Sequence, residues 1–380
     1  MRHGRGSVGK PVEGRSSGFV GPVVQRFAWA RHRIVPLGVG AVALAVAAAC
    51  ATVGSPLPTD ARPLLPMPTT PAPSSSSPPS CAKVDLLSKA VPRMDPMPTP
   101  GGSMPTGSAM ADIKQRGFLK VGIAVDAPPL GSVDWRKLQI TGFDADVAHA
   151  VADAIFSPGE NTVQFQPVSI DQRESVLTSG KVDIVAANYT ITCERAQHVN
   201  FSGVYYTSHL GLLVRKNAGF SSIGDLQGHT VCTSNGSTSF EKLKALRPPA
   251  PTVTPAPNIA DCLVSLQRGE VDAIATDDVI LAGMAAQDPL LTVVPHAFDQ
   301  AFDQAFAADL RVLDEPYGIG IPKSTQSGES AYNSQFVAFV NGVLQAYMAD
   351  GRWAASYQQW LSMLGPAPPS PLEEYPPWSR

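Results

Sequence analysis

The stretch that decides the fold is Val182–Arg195, V-D-I-V-A-A-N-Y-T-I-T-C-E-R. Its first half is small and β-branched, which is typical of a buried strand. Its second half becomes polar without a Gly or Pro break, which predicts a cleft at the carboxyl end of a sheet. Arg195 offers a fork that fits a carboxylate in a bidentate manner, and Thr190 adds a hydroxyl donor. The alternative is an exposed arginine that pairs with Glu194.

The front of the chain predicts export. Residues 1–33 are basic, and the apolar run Ile34–Ala49 that follows is short for a permanent membrane span. Small residues precede Cys50, so residues 1–50 are interpreted as a basic leader, a signal peptide and a bacterial lipobox in which Cys50 is acylated. Plain signal cleavage, with Cys50 incidental, is the alternative.

Composition separates a folded part from two tails. The chain has 380 residues, a net charge of −3, which gives no indication of a nucleic-acid partner, and 36 prolines that cluster near its ends. Residues 51–110 are rich in Pro and Ser and predict a tether, and residues 365–380 predict a disordered tail. Apart from Cys50, four cysteines remain, Cys81, Cys193, Cys232 and Cys262, which suggests two disulfides with three possible pairings.

Between the tails, strands alternate with helices. Phe118–Val125, Val163–Val168 and the strand opening at Val182 predict a β-α-β-α-β unit, with helices over 142–155 and 171–179 and Asp144 as an N-cap of the first. After a new strand at Leu210–Val214, the order repeats, and Val271–Ala275 is a strand that ends at Asp277. The sequence therefore predicts an α/β protein of two similar lobes. The repeated D-Q-A-F in Asp299–Phe306 predicts a helical insertion on one lobe.

Polar groups from both halves are expected to meet in one cleft. The first half supplies Arg195 and Thr190, and the second supplies Asp277 and the Gly236-Ser237-Thr238 turn. A zwitterionic amino acid needs this set, because its carboxylate binds an arginine and backbone N–H groups while its ammonium binds an anion. The alternatives are that Asp277 caps the next helix and that the turn is an ordinary Ser/Thr cap. The cleft-facing stretches contain no catalytic or metal-binding motif, so no catalytic residue, metal or cofactor is predicted.

These motifs resemble those of the family 3 solute-binding proteins of amino-acid ABC importers. The phrases are Gly142–Ala148 (G-F-D-A-D-V-A), Thr190–Arg195 (T-I-T-C-E-R), Gly236–Ser239 (G-S-T-S) and Asp277 after V-D-A. The resemblance implies the periplasmic-binding-protein (venus-flytrap) fold, with two doubly wound sheets joined by two hinge crossings. Lobe 1 is expected over residues 111–204 plus 318–364, and lobe 2 over residues 205–317.

The resemblance also implies roles for single residues. Arg195 would hold the ligand α-carboxylate with Thr190 and the turn of Gly236, Ser237 and Thr238. The backbone carbonyl of Asn188 and the carboxylate of Asp277 would receive the α-ammonium. Arg173 would bind a side-chain carboxylate, unless it is a surface arginine of its helix.

The sequence departs from the family pattern after the first strand, where Ala124 and Ala127 replace an acidic and an aromatic residue. Asp126 is a candidate replacement for the lost acceptor, and Tyr189 and Tyr317 are candidates to close the pocket. Cys232 lies in a lobe 2 strand and Cys262 begins a helix of the same lobe, which favours a disulfide between them and leaves Cys81 with Cys193.

The sequence thus predicts a lipid-anchored, exported, monomeric receptor of the cell envelope. Its expected ligand is glutamate, glutamine or aspartate, and its expected partner is the membrane permease of an ABC transporter. A sensor that signals through a membrane protein is the first alternative. A dehydratase-like enzyme on the same fold is the second.

Overall fold

The computed structural model describes residues 92–160, 162–246, 248–299, 301, 313–323 and 329–371. The predicted leader, signal peptide, lipobox with Cys50, and Cys81 lie outside these residues, as does most of the Asp299–Phe306 repeat. Within the described part of the chain, no helix is both long and apolar enough to cross a membrane.

The strands are short except for two long ones, β7 and β12. They are β1 (Leu119–Ile123), β2 (Asp126–Ala127), β3 (Gly131–Asp134), β4 (Gln139–Thr141), β5 (Val163–Pro167), β6 (Ile184–Val185), β7 (Val199–Arg215), β8 (Thr230–Ser234), β9 (Thr252–Ala256), β10 (Ala273–Asp277), β11 (Leu291–Val294) and β12 (Asp314–Pro322).

Helices follow most of the strands. They are α1 (Ala109–Arg116), α2 (Phe143–Ile155), α3 (Arg173–Thr178), α4 (Arg195–His198), α5 (Thr238–Lys244), α6 (Ile259–Arg268), α7 (Asp278–Gln287), α8 (Glu329–Ala349) and α9 (Arg352–Trp360). Among the described residues, short 3₁₀ turns cover Ile170–Gln172, Ile223–Leu226 and Ser362–Leu364.

Each lobe is built on parallel strands, as the strand–helix alternation predicts. In lobe 1, β1 lies between β5 and β6 and is parallel to both. In lobe 2, β8 is parallel to β9 and β10. Because parallel neighbours need a crossover connection, helices pack on the sheets and leave the carboxyl ends of the strands free to form a cleft.

The two crossings are β7 and β12, which pair with each other in antiparallel fashion from Asp314↔His209 to Pro322↔Val199. β12 also pairs with β6 of lobe 1, and β7 also pairs with β10 of lobe 2. The strands therefore form one hydrogen-bonded path, β5-β1-β6-β12-β7-β10-β8-β9, through both lobes. The predicted lobe boundaries at residues 204/205 and 317/318 fall inside these crossing strands.

Several elements differ from the prediction. The strand expected from Leu210 begins at Val199, because the apolar residues before Gly203 continue the same ladder. The strand opening at Val182 is reduced to β6, since Asn188 turns the backbone with a φ of 39°. Asp144 is not the N-cap of α2, a position that Gly142 occupies; Asp144 is buried instead.

The folded part extends beyond its predicted ends. Residues 92–108 belong to the predicted tether, yet Met94 N donates to Ala338 O of α8, and Met97 packs against the same helix at Gly342. Of the predicted disordered tail, residues 365–371 are described and Pro371 is buried, while residues 372–380 lie outside the described residues.

The predicted disulfide between Cys232 and Cys262 is present and joins β8 to α6. Both residues are buried, so the bridge lies inside lobe 2. Cys193 is also disulfide-bonded, and its predicted partner, Cys81, is outside the described residues.

Replacing both Cys232 and Cys262 with Ala is expected to lower the free energy of unfolding by about 3–4 kcal/mol, because a bridge across 30 residues restricts the unfolded chain. Chemical denaturation of the variant and of the wild type measures the difference. An unchanged denaturation midpoint would contradict a stabilising role.

Candidate ligand-binding site

A narrow pocket lies between the lobes at the carboxyl ends of β6 and β10. Lobe 1 contributes four polar side chains that the sequence singled out, and lobe 2 contributes three. The lining residues are Ala127, Ile170, Arg173, Asn188, Thr190, Arg195, Ser234, Ser237, Thr238, Ile259, Thr276, Asp277 and Ile280. The predicted binding residues from the two halves of the chain therefore share one cavity.

Arg195 contacts both lobes. Its Nη1 donates to Thr190 O at 2.7 Å in lobe 1, and its Nη2 donates to Gly236 O at 3.1 Å in lobe 2. The guanidinium thus hydrogen-bonds across the cleft rather than to Glu194. Burial lowers its pKa, but an arginine stays protonated at any physiological pH. Gly236 contributes through this carbonyl and does not itself line the pocket.

Arg173 is buried, with 2% of its surface exposed, so it is not a surface arginine. Its Nε donates to Ile170 O at 2.8 Å, and its Nη1 donates to Ala187 O at 3.1 Å and Asn188 O at 2.8 Å. Desolvation and the neighbouring Arg195 lower its pKa to about 9, so it remains mostly charged at neutral pH. A fixed cation therefore lines the floor of the pocket.

Tyr189 lies behind these two cations rather than over the pocket. Its ring centroid is 4.4 Å from Arg173 Cζ and 5.1 Å from Arg195 Cζ, and the ring packs edge-on against Phe201. The prediction that Tyr189 closes the pocket was therefore wrong. Its aromatic face instead supports both guanidinium groups by a cation–π interaction.

Asp277 ends β10 and occupies the N-cap position of α7, but its side chain makes no capping hydrogen bond. The carboxylate accepts a hydrogen bond from the Tyr317 hydroxyl and is 4% exposed. Burial, with the neighbouring Glu315, raises the pKa of Asp277 to about 7. Tyr317 is fully buried and orients Asp277 from below, so it does not close the pocket as predicted.

The turn before α5 combines two roles. Ser237 is an ordinary N-cap, since its hydroxyl accepts from Phe240 N at 3.0 Å and donates to Ser234 O at 2.7 Å. Thr238 donates its hydroxyl proton to Glu315 at 2.8 Å. A hydroxyl has one proton, so the Thr238 side chain can offer a ligand only lone pairs.

Glu315 is a residue that the sequence reading missed. It lies on β12, is fully buried, and forms an ion pair with Lys242 of α5. With Thr238 it joins the crossing strand to the helix that borders the pocket. The signal available in the sequence was the position of Glu315, a charged residue directly before P-Y-G-I-G-I in a strand predicted to cross between the lobes.

Asn188 links the pocket to a second missed residue, Asp144. Asn188 N donates to Asp144 Oδ2 at 2.8 Å, and the Tyr205 hydroxyl donates to Asp144 Oδ1 at 2.8 Å. Burial raises the pKa of Asp144 to about 6. The Asn188 carbonyl already accepts from Arg173, whereas its buried Oδ1 has no hydrogen-bond partner among the described residues. The side chain of Asn188 therefore offers the pocket an unsatisfied acceptor.

The charges of the pocket do not balance. Arg173 and Arg195 carry two positive charges, and Asp277 is the single carboxylate among the lining residues. Glu315 is paired with Lys242 outside the lining. A small molecule with a carboxylate and an ammonium group, and with a further negative charge, would complement this arrangement.

Comparisons with known proteins identify the family and the fold. The sequence profile of the bacterial extracellular solute-binding proteins, family 3, matches residues 119–363. A glutamine-binding protein of Geobacillus stearothermophilus is 34% identical over 221 residues, which are 58% of this chain and 78% of that protein. A glutamate-binding protein of Corynebacterium glutamicum is 30% identical over 252 residues, 62% of this chain and 76% of that protein.

A solved structure has the same fold. The solute receptor for L-cysteine of Neisseria gonorrhoeae superposes with a TM-score of 0.57 at 26% identity, covering 67% of this chain and 93% of that receptor. These relatives are binding proteins rather than enzymes, in agreement with the prediction that the chain is a receptor and not an enzyme. From the matched profile and the two-lobed cleft together, the chain belongs to the bacterial extracellular solute-binding proteins of family 3.

Proposed function

We propose that this protein is a receptor that delivers glutamate, aspartate or glutamine to an ABC importer. The observation that carries the proposal is the meeting of Arg195 from lobe 1 and Asp277 from lobe 2 in one sheltered pocket. The names of two relatives, one glutamine-binding and one glutamate-binding, point to the same class of ligand.

The α-carboxylate of the ligand binds Arg195 and Thr190, and its α-ammonium binds Asp277. Two of the five N–H donors of Arg195 bond to carbonyls, which leaves others for a carboxylate. The ammonium has three protons, so it needs acceptors besides Asp277. The unsatisfied Oδ1 of Asn188 provides one, in place of the predicted role for the Asn188 carbonyl, which Arg173 occupies.

The charge of the pocket favours an acidic ligand over its amide. Glutamate and aspartate carry a net negative charge, which neutralises the excess positive charge of Arg173 and Arg195. Arg173 donates from Nε and Nη1 to the carbonyls of Ile170, Ala187 and Asn188. Its Nη2 donors remain for a side-chain carboxylate. In a buried site this charge complement contributes more than it would in water.

Ligand binding closes the two lobes, and the closed form is what the membrane permease recognises. A ligand held by Arg195 on one side and Asp277 on the other gains its full contacts only when the lobes meet, so it shifts the hinge equilibrium toward closure. Acylation of Cys50 and the proline-rich tether would keep this monomeric receptor close to the outer face of the membrane.

Replacing Arg195 with Ala is expected to abolish measurable binding of all three amino acids, because a buried carboxylate then loses its charged partner. Titration calorimetry of the purified chain measures this. Arg116→Ala, at a partly buried ion pair with Asp183 away from the pocket, is the matched control and should bind as the wild type does. Full affinity in Arg195→Ala would refute the proposed seat of the carboxylate.

Replacing Arg173 with Gln is expected to weaken glutamate binding at least tenfold more than glutamine binding. The amide preserves donors for the backbone carbonyls but removes the charge that an acidic side chain needs. Calorimetry with both ligands gives the ratio, and thermal unfolding shows whether the variant is folded. Equal losses for the two ligands would contradict a charge-selective role.

The affinity for glutamate is expected to fall about tenfold between pH 8 and pH 6. Asp277 has a pKa of about 7 and must lose its proton to receive an ammonium, so binding at pH 6 releases a proton. Calorimetry in buffers of different ionisation enthalpy counts the protons released.

Asp144, with a pKa of about 6, also titrates in this range. Tyr317→Phe separates the two groups, because Tyr317 bonds to Asp277 and its hydrogen bond lowers the pKa of that residue. The pH profile of this variant should shift to higher pH. A pH-independent affinity in the wild type would exclude Asp277 as the ammonium acceptor.

A further inference from the structure

The segment Asp126–Pro129, which we call the lip, follows the first strand of lobe 1 and reaches lobe 2. Asp126 Oδ2 accepts a hydrogen bond of 2.9 Å from Ile259 N, the first residue of α6. Its neighbour Ala127 lines the pocket, but Asp126 does not. The sequence reading considered Asp126 as a substitute ligand acceptor, and the structure gives this carboxylate a protein partner instead.

The N-terminus of α6 lacks a side-chain cap from its own lobe. Asn258 occupies the N-cap position without a capping hydrogen bond, because its Nδ2 donates to Asp261 at 3.1 Å. The first N–H groups of a helix have no partner within the helix, and a nearby carboxylate also interacts favourably with the helix dipole. Lobe 1 therefore supplies through Asp126 the acceptor that lobe 2 does not supply for itself.

A contact at α6 is transmitted to the body of lobe 2. Cys262 of α6 is bonded to Cys232 of β8, so the helix cannot shift independently of the sheet. Ile259, which donates to Asp126, also lines the pocket. The hydrogen bond therefore depends both on the distance between the lobes and on the position of the pocket wall at Ile259.

The lip makes a second contact with lobe 2 at α7. A Cβ atom added at Gly283 would lie 1.9 Å from Pro128 O, which is far inside the contact distance of two atoms. Gly283 is in the middle of a helix, where no turn requires a glycine. Its missing side chain lets the lip approach α7, and this approach accompanies the Asp126 hydrogen bond.

We propose that Asp126 is a positioning residue that latches the closed receptor by capping α6 across the cleft. The inference rests on the proposed function, since a latch matters only in a receptor that opens and closes. Opening separates Asp126 from Ile259, and the carboxylate and the N–H group then hydrogen-bond to water. Loss of the latch therefore lowers affinity without removing any ligand contact, through the fraction of molecules that are closed.

Asp126→Ala is expected to weaken glutamate binding about fivefold, which is the effect of removing one capping group. The loss should come from faster dissociation, because the latch forms after the ligand has entered. Asp126→Asn retains an acceptor oxygen and should recover most of the affinity. Stopped-flow kinetics and calorimetry on the full chain, with glutamate as the probe, measure these quantities.

Asp134→Ala is the matched control from the same hairpin. Its carboxylate accepts from the Arg136 and Lys137 backbone in an exposed turn, so this variant should have wild-type rates. Gly283→Ala is an independent variant that leaves the helix intact and blocks the approach of Pro128. It should weaken binding more than Asp126→Ala, and small-angle scattering with saturating glutamate should show that it stays more open than the wild type.

Wild-type dissociation in Asp126→Ala would overturn the latch, and so would a loss confined to the association rate. If the wild type binds none of the three amino acids, the proposed function fails. The latch is still tested in that case by hydrogen exchange at the Ile259 amide of the ligand-free chain. Faster exchange in Asp126→Ala than in the wild type supports the hydrogen bond, and equal exchange overturns it.

Discussion

The antiparallel pairing of β7 with β12 is the constraint on which the pocket depends. Both strands pass from one lobe to the other, so a single hydrogen-bonded ladder serves as hinge and as scaffold. From β12, Glu315 bonds to Thr238 and Tyr317 bonds to Asp277, both of them in lobe 2. The hinge therefore orients the side chains that line the cleft. A slip in its register would displace Asp277, the proposed ammonium acceptor, together with the lobes.

Burial makes the charges of the pocket selective. Arg173 and Arg195 repel each other in a site with little water, and this repulsion with desolvation lowers the pKa of Arg173. The ring of Tyr189 lies against both guanidinium groups and offsets part of the cost. An anion relieves the remaining repulsion, which a neutral ligand of the same shape does not do. In the proposed receptor, selectivity between acid and amide would follow from electrostatics that the protein establishes before the ligand arrives.

The sequence predicted the local part of this site and missed the long-range part. Asp277 ends β10, and Arg195 closes the polar stretch that follows β6, so residue order alone places both side chains near the carboxyl ends of strands. Glu315, Asp144 and Asp126 acquire their roles from partners far along the chain, and no local pattern encodes those contacts. From the sequence alone, Asp144 fits the pattern of a helix N-cap, and nothing in that pattern indicates its buried role.

The same limit explains the errors over the tyrosines and the tails. An aromatic residue beside polar ones is expected at a pocket mouth, whereas the ring of Tyr189 packs against the guanidinium groups of Arg173 and Arg195. Residues 92–108 have a disordered composition, but Met94 and Met97 bury apolar surface on α8. Composition averages over a segment, and a few well-placed apolar side chains decide whether it packs.

Two of the contacts between the lobes are single polar hydrogen bonds, which suits a receptor that must open again. Arg195 to Gly236 O and Asp126 to Ile259 N can each be exchanged for hydrogen bonds to water at a small net free energy. In the proposed receptor, a ligand with charged groups for both lobes adds contacts that form only on closure, so it shifts the equilibrium toward the closed form.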